Sequence, residues 1–172
     1  EAEGNILKEH LYTWIASGNF EVGINFQVDQ LSALYLLVIT GVGFLIHVYS
    51  VGYMDGESGY YRFFAYLNLF VFFMLILVLG DSFLLMFVGW EGVGLCSYLL
   101  IGYYFEKDSA AEAAKKAFLF NRVGDFGVLS AVLLIFLAFG SIEFSTINAE
   151  AATRLELGGG LVTAITLLLF LG

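Results

Sequence analysis

The residue that most constrains the fold of this chain is Glu91, because it lies inside a segment that is otherwise apolar enough to cross a bilayer. Between Phe83 and Phe105 there is no other charged side chain. At 1.5 Å per residue, Glu91 lies roughly 12 Å from the start of a span that must cover about 30 Å, which is near its middle. An ionisable group there costs on the order of 3 kcal/mol unless it faces a protein interior, a water-filled path or an opposite charge. Glu91 is therefore the first candidate for a functional residue.

The composition is that of an integral membrane protein. Of the 172 residues, 60% are hydrophobic and 13% are charged, and the mean hydropathy is +0.87, which is too apolar for a soluble domain of this length. The alternating strands of a membrane β-barrel are missing from the sequence, so we expect an all-α, polytopic bundle of transmembrane helices. The net charge of −9 argues against a nucleic-acid partner. The single cysteine, Cys96, can form neither an intrachain disulfide nor a cysteine metal cluster.

The hydropathy pattern divides the chain into complete spans, external loops and one partial span. Complete spans are predicted at residues 31–53, 63–79, 83–105 and 113–139. Residues 1–29 are predicted to be an external loop with a candidate short hairpin, because residues 19–26 alternate apolar and polar side chains. Residues 140–160 are predicted to be a second external loop. The apolar run 161–172 reaches only about 18 Å as a helix, so we interpret it as the start of a truncated span and the chain as a piece of a larger protein.

The basic residues predict which connections face the cytoplasm. The connections around residues 53–62 and 105–116 contain four of them, whereas the opposite side has only Lys8 and Arg154. Cytoplasmic loops carry an excess of Lys and Arg. We therefore expect both connections on the cytoplasmic side and residues 140–160 on the other.

The neighbours of Glu91 on its helix indicate which face points inward. Gly94, Tyr98 and Gly102 follow at steps of three or four residues and share its face. For both glycines, close helix packing is favoured over a direct role. Trp90 is interpreted as a lipid-facing or space-filling residue. For Glu91 the alternative is a structural carboxylate held protonated by a hydrogen bond, but a Gln would provide that bond without the ionisation cost, so we predict a role in proton transfer.

The remaining candidates lie on the first and fourth spans. Arg122 and Asp125 are three residues apart, so they share a face and can partly neutralise each other. They are interpreted either as an ion pair that orients the helix or as a supporting pair in a proton relay. Lys115 and Lys116 lie near the predicted cytoplasmic end, where extension to lipid headgroups is favoured over a relay role. His47 is interpreted either as a relay residue or as a hydrogen-bonded interfacial residue.

Signatures of cofactor chemistry are missing from the sequence. It has no nucleotide-binding loop, no paired Cys or His at metal-ligand spacing and no Ser-His-Asp pattern. We therefore predict that this chain itself holds no cofactor and no metal. The intramembrane charges are the candidates for its chemistry.

Several motifs between Asp29 and Phe139 resemble one family of membrane proteins. The chain looks like the largest antiporter-like membrane subunits of respiratory complex I, the proton-translocating NADH:quinone oxidoreductase. The most specific part is Gly-Trp-Glu-Gly-Val-Gly-Leu-Cys-Ser-Tyr-Leu-Leu-Ile-Gly followed by Asn-Arg-Val-Gly-Asp. The motifs that carry the resemblance are Asp29–Leu34, Thr40–His47, Arg62–Tyr66, Gly89–Gly102, Lys116–Phe118 and Asn121–Asp125.

The resemblance implies an antiporter-like fold built from inverted repeats of helices, of which this chain covers an internal part. It implies that Glu91 pairs with a Lys beyond residue 172 and transfers protons along a hydrated path at the membrane midplane, with Arg122 and Asp125 in support. NADH, FMN, iron–sulfur clusters and quinone would be bound by other subunits. The implied partners are other membrane subunits of complex I, the lipid bilayer and protons, in a bacterial plasma membrane or mitochondrial inner membrane.

Two alternatives to this interpretation remain open. One is the large subunit of a multisubunit cation/proton antiporter, which shares the intramembrane Glu; the segments Gly92–Ser97 and Asn121–Asp125 argue against it. The other is a scaffold subunit that transports nothing. If the chain is a scaffold, neutralising Glu91 should leave transport by the assembled complex intact. If it is either kind of transporter, the same change should abolish transport.

Overall fold

The structure is a computed structural model that describes residues 6–18, 20–156 and 158–172. A two-stranded antiparallel hairpin is followed by a series of helices. The first five residues of the predicted external loop, and Asn19, with which the alternating segment begins, lie outside the described residues. In chain order the elements are β1 (Leu7–Ser17), β2 (Phe20–Val28), α1 (Gln30–Tyr53), α2 (Tyr60–Leu79), α3 (Phe83–Ile101), α4 (Asp108–Phe139), α5 (Phe144–Arg154) and α6 (Gly160–Leu171).

Helices α1 to α4 are each long and apolar enough to cross a membrane, which confirms the predicted bundle of four spans. Their outward faces carry large apolar side chains: Leu37 is 73%, Phe126 73% and Leu137 79% exposed. A soluble protein rarely exposes contiguous apolar surface of this kind, whereas hydrocarbon solvates it. The side chains that point away from the bundle are therefore those expected to face lipid or other membrane helices.

The helix ends differ from the predicted spans because hydropathy marks the membrane rather than the helix. Helix α2 begins at Tyr60 instead of residue 63, and α4 begins at Asp108 instead of residue 113. With 32 residues, α4 is about 48 Å long, which exceeds the hydrocarbon thickness by several turns. Helix α3 ends at Ile101 instead of residue 105, and the chain turns at Gly102. Glycine suits that turn because a Cβ there would lie 3.0 Å from the Cβ of Ala114.

Residues 140–160, predicted to be an external loop, contain the helix α5, and residue 157 lies outside the described residues. Their external position stays a prediction. Ile147 and Ala151 of this helix pack against a buried cluster that includes Phe139 and Ile165. Arg154 also donates hydrogen bonds from Nη1 to the carbonyl oxygens of Ala138 (3.2 Å) and Phe139 (3.4 Å). A cation at the last carbonyls of α4 is favourable because they carry the negative end of the helix dipole. A short amphipathic helix of this kind has too little apolar length to be found by hydropathy.

The hairpin is longer than the short one that was predicted. It pairs from Leu7 opposite Val28 to Ser17 opposite Phe20, with irregular register near Tyr12. On its inner face, buried Val22 packs with Val128, Val132 and Ile142, and the rings of Phe20 and Phe136 meet edge to face at 4.9 Å. Apolar burial therefore holds the hairpin against the end of α4.

Backbone hydrogen bonds join three connections at that same end. The Asp81 N–H donates to the carbonyl of Asn25 (3.3 Å), the Phe83 N–H to that of Ile142 (3.0 Å), and the Phe144 N–H to that of Asp81 (3.0 Å). These bonds link β2, the α2–α3 turn and the α4–α5 connection. The connections predicted to be cytoplasmic lie at the opposite end, where Arg62 contacts Tyr103. Which end faces the cytoplasm stays a prediction.

Helices α2 and α3 are in close contact at two glycines of α3. A Cβ on Gly89 would lie 2.5 Å from the backbone nitrogen of Leu77, and one on Gly92 would lie 2.1 Å from the ring of Phe73. Neither position has room for a side chain. The glycine-rich segment around Glu91 thus places one face of α3 against α2 and leaves another face for α4.

Candidate functional site

The face of α3 that carries Glu91 packs against α4, as the spacing of its residues predicted. The two helices run antiparallel, so residues that follow Glu91 meet residues that precede Arg122. Each of the three residues predicted to share this face has a neighbour on α4. The pairs are Gly94 with Asn121 and Gly102 with Ala114, and Tyr98 with Phe118, whose ring centroids are 5.5 Å apart.

Three charged side chains meet at this interface. The Arg122 guanidinium forms a hydrogen-bonded ion pair with the Glu91 carboxylate, and its Nη1 lies 3.3 Å from Oδ2 of Asp125. It also lies over the ring of Phe118, 4.5 Å from the centroid. The indole N–H of Trp90 donates to Oδ1 of Asp125 at 3.1 Å. One cation therefore connects a carboxylate of α3 with a carboxylate of α4.

The charges of this cluster do not cancel when both acids are ionised. Arg122 stays protonated in proteins, so the three side chains then carry a net charge of −1. Binding one proton makes the cluster neutral. The side chain of Asp125 is 8% exposed, whereas those of Glu91 and Arg122 are 28% and 36% exposed. Asp125 is thus the most buried side chain of the cluster, and the Glu91 carboxylate is more exposed than that of Asp125.

A cleft of about 530 Å³ opens beside the cluster. A water molecule occupies about 30 Å³ in the liquid, so the cleft has room for several. Its polar lining can hydrogen-bond them. The polar and small residues that line it are Trp90, Gly94, Ser97, Asn121, Gly124 and Asp125, and the end of α6 closes one side.

The other predicted relay residues lie away from this cluster. His47 is on α1, where its Nδ1 lies 2.7 Å from the carbonyl oxygen of Gly43, and it lines an apolar groove between α1 and α2. Lys115 is two helical turns from Arg122. Lys115 and Lys116 are exposed on α4, and neither forms an ion pair within the described ranges. Relay roles for these residues stay predictions.

Two contacts of the site were missed by reasoning from the sequence. Glu91 was not matched to Arg122, which lies on the next helix along the chain. Trp90 was interpreted as lipid-facing or space-filling, yet its N–H binds Asp125. The sequence feature that could have indicated this hydrogen bond is the position of Trp90 next to Glu91.

The described residues contain no group of three or more His, Cys, Asp or Glu side chains arranged to hold a metal ion. The fold and the site together define a multi-pass membrane protein with a carboxylate–guanidinium–carboxylate cluster inside its helix bundle. Residues 14–64 match the family described as NADH-Ubiquinone oxidoreductase (complex I), chain 5 N-terminus. Residues 80–172 match the family described as NADH:quinone oxidoreductase/Mrp antiporter, TM. The chain belongs to this NADH:quinone oxidoreductase/Mrp antiporter family.

Curated relatives are similar to nearly the whole chain but are much longer. The NADH-quinone oxidoreductase subunit L of Mycobacterium tuberculosis is 49% identical over 168 residues, which cover 96% of this chain and 26% of the relative. That of Escherichia coli is 47% identical over 162 residues, which cover 94% of this chain and 26% of the relative. The chain thus spans about a quarter of the length of these relatives.

Solved structures share the fold at lower identity. The Mrp complex from a Dietzia species superimposes with a TM-score of 0.81 at 24% identity, covering 98% of this chain and 18% of the other. The membrane-bound sulfane sulfur reductase, an archaeal respiratory membrane complex, gives 0.73 at 23% identity, covering 98% and 25%. The predicted antiporter-like fold is confirmed, and the chain is a multi-pass protein of an energy-transducing membrane.

Proposed function

We propose that this chain is part of the antiporter-like, proton-translocating membrane subunit of NADH:quinone oxidoreductase, with Glu91 as the group that carries the proton. The observation that carries the proposal is the placement of Arg122 between Glu91 and Asp125 inside the helix bundle. Relatives named subunit L of that oxidoreductase support the choice of complex, since they are 42–49% identical to the chain.

The cluster suits proton exchange because its charged groups differ in what they can do. Guanidinium does not deprotonate in proteins, so Arg122 acts as a permanent positive charge and only the carboxylates exchange protons. An opposite charge beside a carboxylate stabilises its ionised form. Movement of a cation toward Glu91 would therefore favour proton release, and its withdrawal would favour proton uptake. Alternation between these two arrangements lets one carboxylate load and unload.

The cleft beside the cluster would bring water to Asp125, the carboxylate of the cluster that lines it. Ser97 and Asn121 line it and can hydrogen-bond a chain of water molecules. Protons would then reach the carboxylates without crossing hydrocarbon. In this proposal NADH, FMN, the iron–sulfur clusters and quinone are bound by other subunits, and this chain contacts other membrane subunits and lipid.

The test replaces Glu91 by Gln in the complete complex, which removes the titratable proton and nearly preserves shape. We expect normal assembly and electron entry, with a sharp loss of proton pumping and of the quinone reduction coupled to it. Glu91→Asp should keep part of the activity because the group still ionises. Glu112→Gln makes the same chemical change at an exposed carboxylate in the first turns of α4 and serves as the matched control.

Protons pumped per electron are measured in membrane vesicles, with subunit content checked in each preparation. Pumping by the assembled Gln variant at the parental rate and ratio would make Glu91 a structural carboxylate and contradict the proposal. That outcome is also what a scaffold subunit predicts.

A cation/proton antiporter subunit is the second candidate, because the Mrp complex shares the fold and the matching family includes both kinds of protein. The two candidates differ in what drives proton movement. In vesicles, an oxidoreductase subunit requires NADH and quinone, whereas an antiporter subunit moves protons when a Na⁺ or K⁺ gradient is imposed without them. Proton flux under a cation gradient alone would favour the antiporter.

A further inference from the structure

A small cavity with two basic side chains in its wall lies between α2, α3 and α4, at the end of the bundle where the α1–α2 and α3–α4 connections meet. Its volume is about 170 Å³, and its charged lining residues are Arg62 and Lys115. No carboxylate of the described chain lines it. Tyrosines 66, 98 and 103 complete the polar part of the wall. The cavity therefore carries two positive charges and several phenol groups.

Arg62 is held in position, and no carboxylate of residues 6–18, 20–156 and 158–172 forms an ion pair with it. Its guanidinium lies 5.0 Å from the ring centroid of Tyr103 and 5.1 Å from that of Phe105, and its Nη2 donates to the Tyr103 carbonyl at 3.4 Å. Neither Arg62 nor Lys115 forms an ion pair in the described part of the chain. Two cations that line one cavity repel each other unless an anion lies between them.

Carboxylates do occur nearby, in an adjoining cavity. Glu57 and Glu106 line a space of about 250 Å³ that shares Arg62 and Tyr103 with the first cavity. Lys107 lines it as well, with its Nζ over the ring of Tyr104 at 4.9 Å. Because Arg62 lines both spaces, the two spaces together contain three cations and two carboxylates, which leaves an excess of one positive charge.

The first cavity continues into an apolar groove. Tyr98 and Lys115 line both spaces, and the groove extends between α3 and α4 along Leu95, Phe118 and Leu119. Its volume is about 410 Å³. Leu95 is two helical turns from Gly102, which is about 10 Å along the helix axis. The positive cavity therefore lies at the end of the helices, and the apolar groove extends from it toward their middle.

The cavity lies at the level expected for lipid headgroups. Tyr104, close to Arg62 in the adjoining space, is 40% exposed, and tyrosine side chains are enriched at membrane interfaces. Basic pockets between transmembrane helices bind anionic headgroups. The site thus combines an anion-binding end at interface depth with an apolar surface at hydrocarbon depth.

We propose that the cavity and the groove together bind one anionic phospholipid. The phosphate lies between Arg62 and Lys115, where guanidinium and ammonium groups both donate to phosphate oxygens. One acyl chain lies along Leu95, Phe118 and Leu119. A free phosphate would use the cavity but not the groove, and a zwitterionic lipid would leave one positive charge unbalanced. The site does not depend on the proton-transfer role of Glu91.

The test uses the complete complex in mild detergent and phosphatidylglycerol that carries a photoreactive group in its acyl chain. After irradiation we expect labelled peptides from the groove, around Leu95 and residues 118–119. Arg62→Gln and Lys115→Gln should each lower labelling about fivefold or more. Lys116→Gln is the matched control, because this neighbouring Lys lines neither space; labelling should equal that of the parent.

A second variant leaves both cations in place. Leu119→Trp fills the groove at an exposed position, so it should fold normally and still lose labelling.

Inorganic phosphate should not displace the lipid, because the acyl chain contributes to its binding. Equal labelling by a phosphatidylcholine analogue, full displacement by phosphate, or labelling that ignores both cation variants would each overturn the proposal. Crosslinking of Leu119→Cys to another protein segment, with no lipid labelling, would show that the groove is filled by protein.

Discussion

The guanidinium of Arg122 on α4 forms an ion pair with the carboxylate of Glu91 on α3. The spacing of Arg122 and Asp125 predicted a pair within one helix, and that pair is present at 3.3 Å. Arg122 nevertheless has two anionic partners. Loss of Asp125 therefore leaves the guanidinium paired, whereas loss of Arg122 leaves two carboxylates close together without a cation.

This arrangement predicts that Arg122→Gln is more damaging than Asp125→Asn. We expect a stability loss of about 2 kcal/mol or more for the Arg variant, since it leaves carboxylates unpaired inside the bundle. Asp125→Asn should cost less and keep part of the pumping. Thermal unfolding of the assembled complex, together with a double-mutant cycle of Glu91→Gln and Arg122→Gln, measures the coupling. Strictly additive effects would show that Arg122 and Glu91 do not interact.

The close approach of α2 and α3 predicts that Gly89→Ala destabilises the subunit. The added methyl group would meet the backbone of Leu77, which cannot move aside as a flexible side chain would. Overpacking of this kind costs about 1–3 kcal/mol. Gly41→Ala is the control, because a Cβ on Gly41 has no neighbour within 4 Å. Equal thermal stability of the two variants in the complex would rule out tight packing at Gly89.

Burial of Asp81 predicts a pH-dependent stability at the end of the bundle that holds the hairpin. Burial raises the pKa of this carboxyl above its ordinary value of 3.8, although the Asn25 side chain and the charges of Lys8 and His10 oppose the shift. The raised pKa belongs to the folded state. The protonated Asp81 carboxyl therefore makes its full contribution to stability at pH values below the pKa that this group has in the unfolded chain. That contribution is lost as the pH rises through the folded pKa.

Asp81→Asn should therefore be more stable than the parent at pH 7, and the difference should shrink as the pH approaches 4. Thermal unfolding of the complex at several pH values measures this trend. Asp55→Asn, at an exposed position in the α1–α2 connection, provides the control. A variant that is less stable than the parent at pH 7 would mean that the ionised Asp81 carboxylate is favourable where it lies.

Membrane orientation can be tested with introduced cysteines, because Cys96 is buried and should not react. Asp108→Cys lies at the predicted cytoplasmic end, and Asn148→Cys on α5 lies at the other. A membrane-impermeant thiol reagent added to intact cells should label position 148 and leave position 108 unlabelled until the membrane is opened. Labelling in the reverse order would invert the orientation derived from the basic residues.

The four spans were predictable because hydropathy over about twenty residues is a strong local signal. The face of α3 was predictable as well, since helical periodicity alone places Gly94, Tyr98 and Gly102 beside Glu91. Helix α5 was not, because its stability depends on packing of Ile147 and Ala151 against residues distant in the chain. A hydropathy profile does not show where a helix begins outside the membrane, as α4 does at Asp108.

The contacts between α3 and α4 in the site could not be predicted from the sequence pattern of either helix alone. Whether Arg122 meets Glu91 depends on how far α4 is shifted along α3. That shift is determined by the close packing of Gly102 against Ala114 and by the buried turn at Tyr103. The bond between Trp90 and Asp125 depends on the same shift. Sequence periodicity predicts which side chains share a face, but not which side chain of the neighbouring helix lies opposite each one.

The bonds between the hairpin and later parts of the chain constrain the order of events during synthesis. Strand β2 precedes α1, yet Asn25 bonds to Asp81 in the α2–α3 turn, and Asp81 in turn bonds to Phe144 after α4. In the orientation predicted from the basic residues, the hairpin would be exported before its partners have left the ribosome. Pairing of β1 with β2 satisfies about half of its backbone hydrogen-bonding groups in the meantime, because each strand keeps one unpaired edge. The bond between Phe144 and Asp81 can form only after α4 has been inserted, so the contacts of the hairpin with this part of the chain form late.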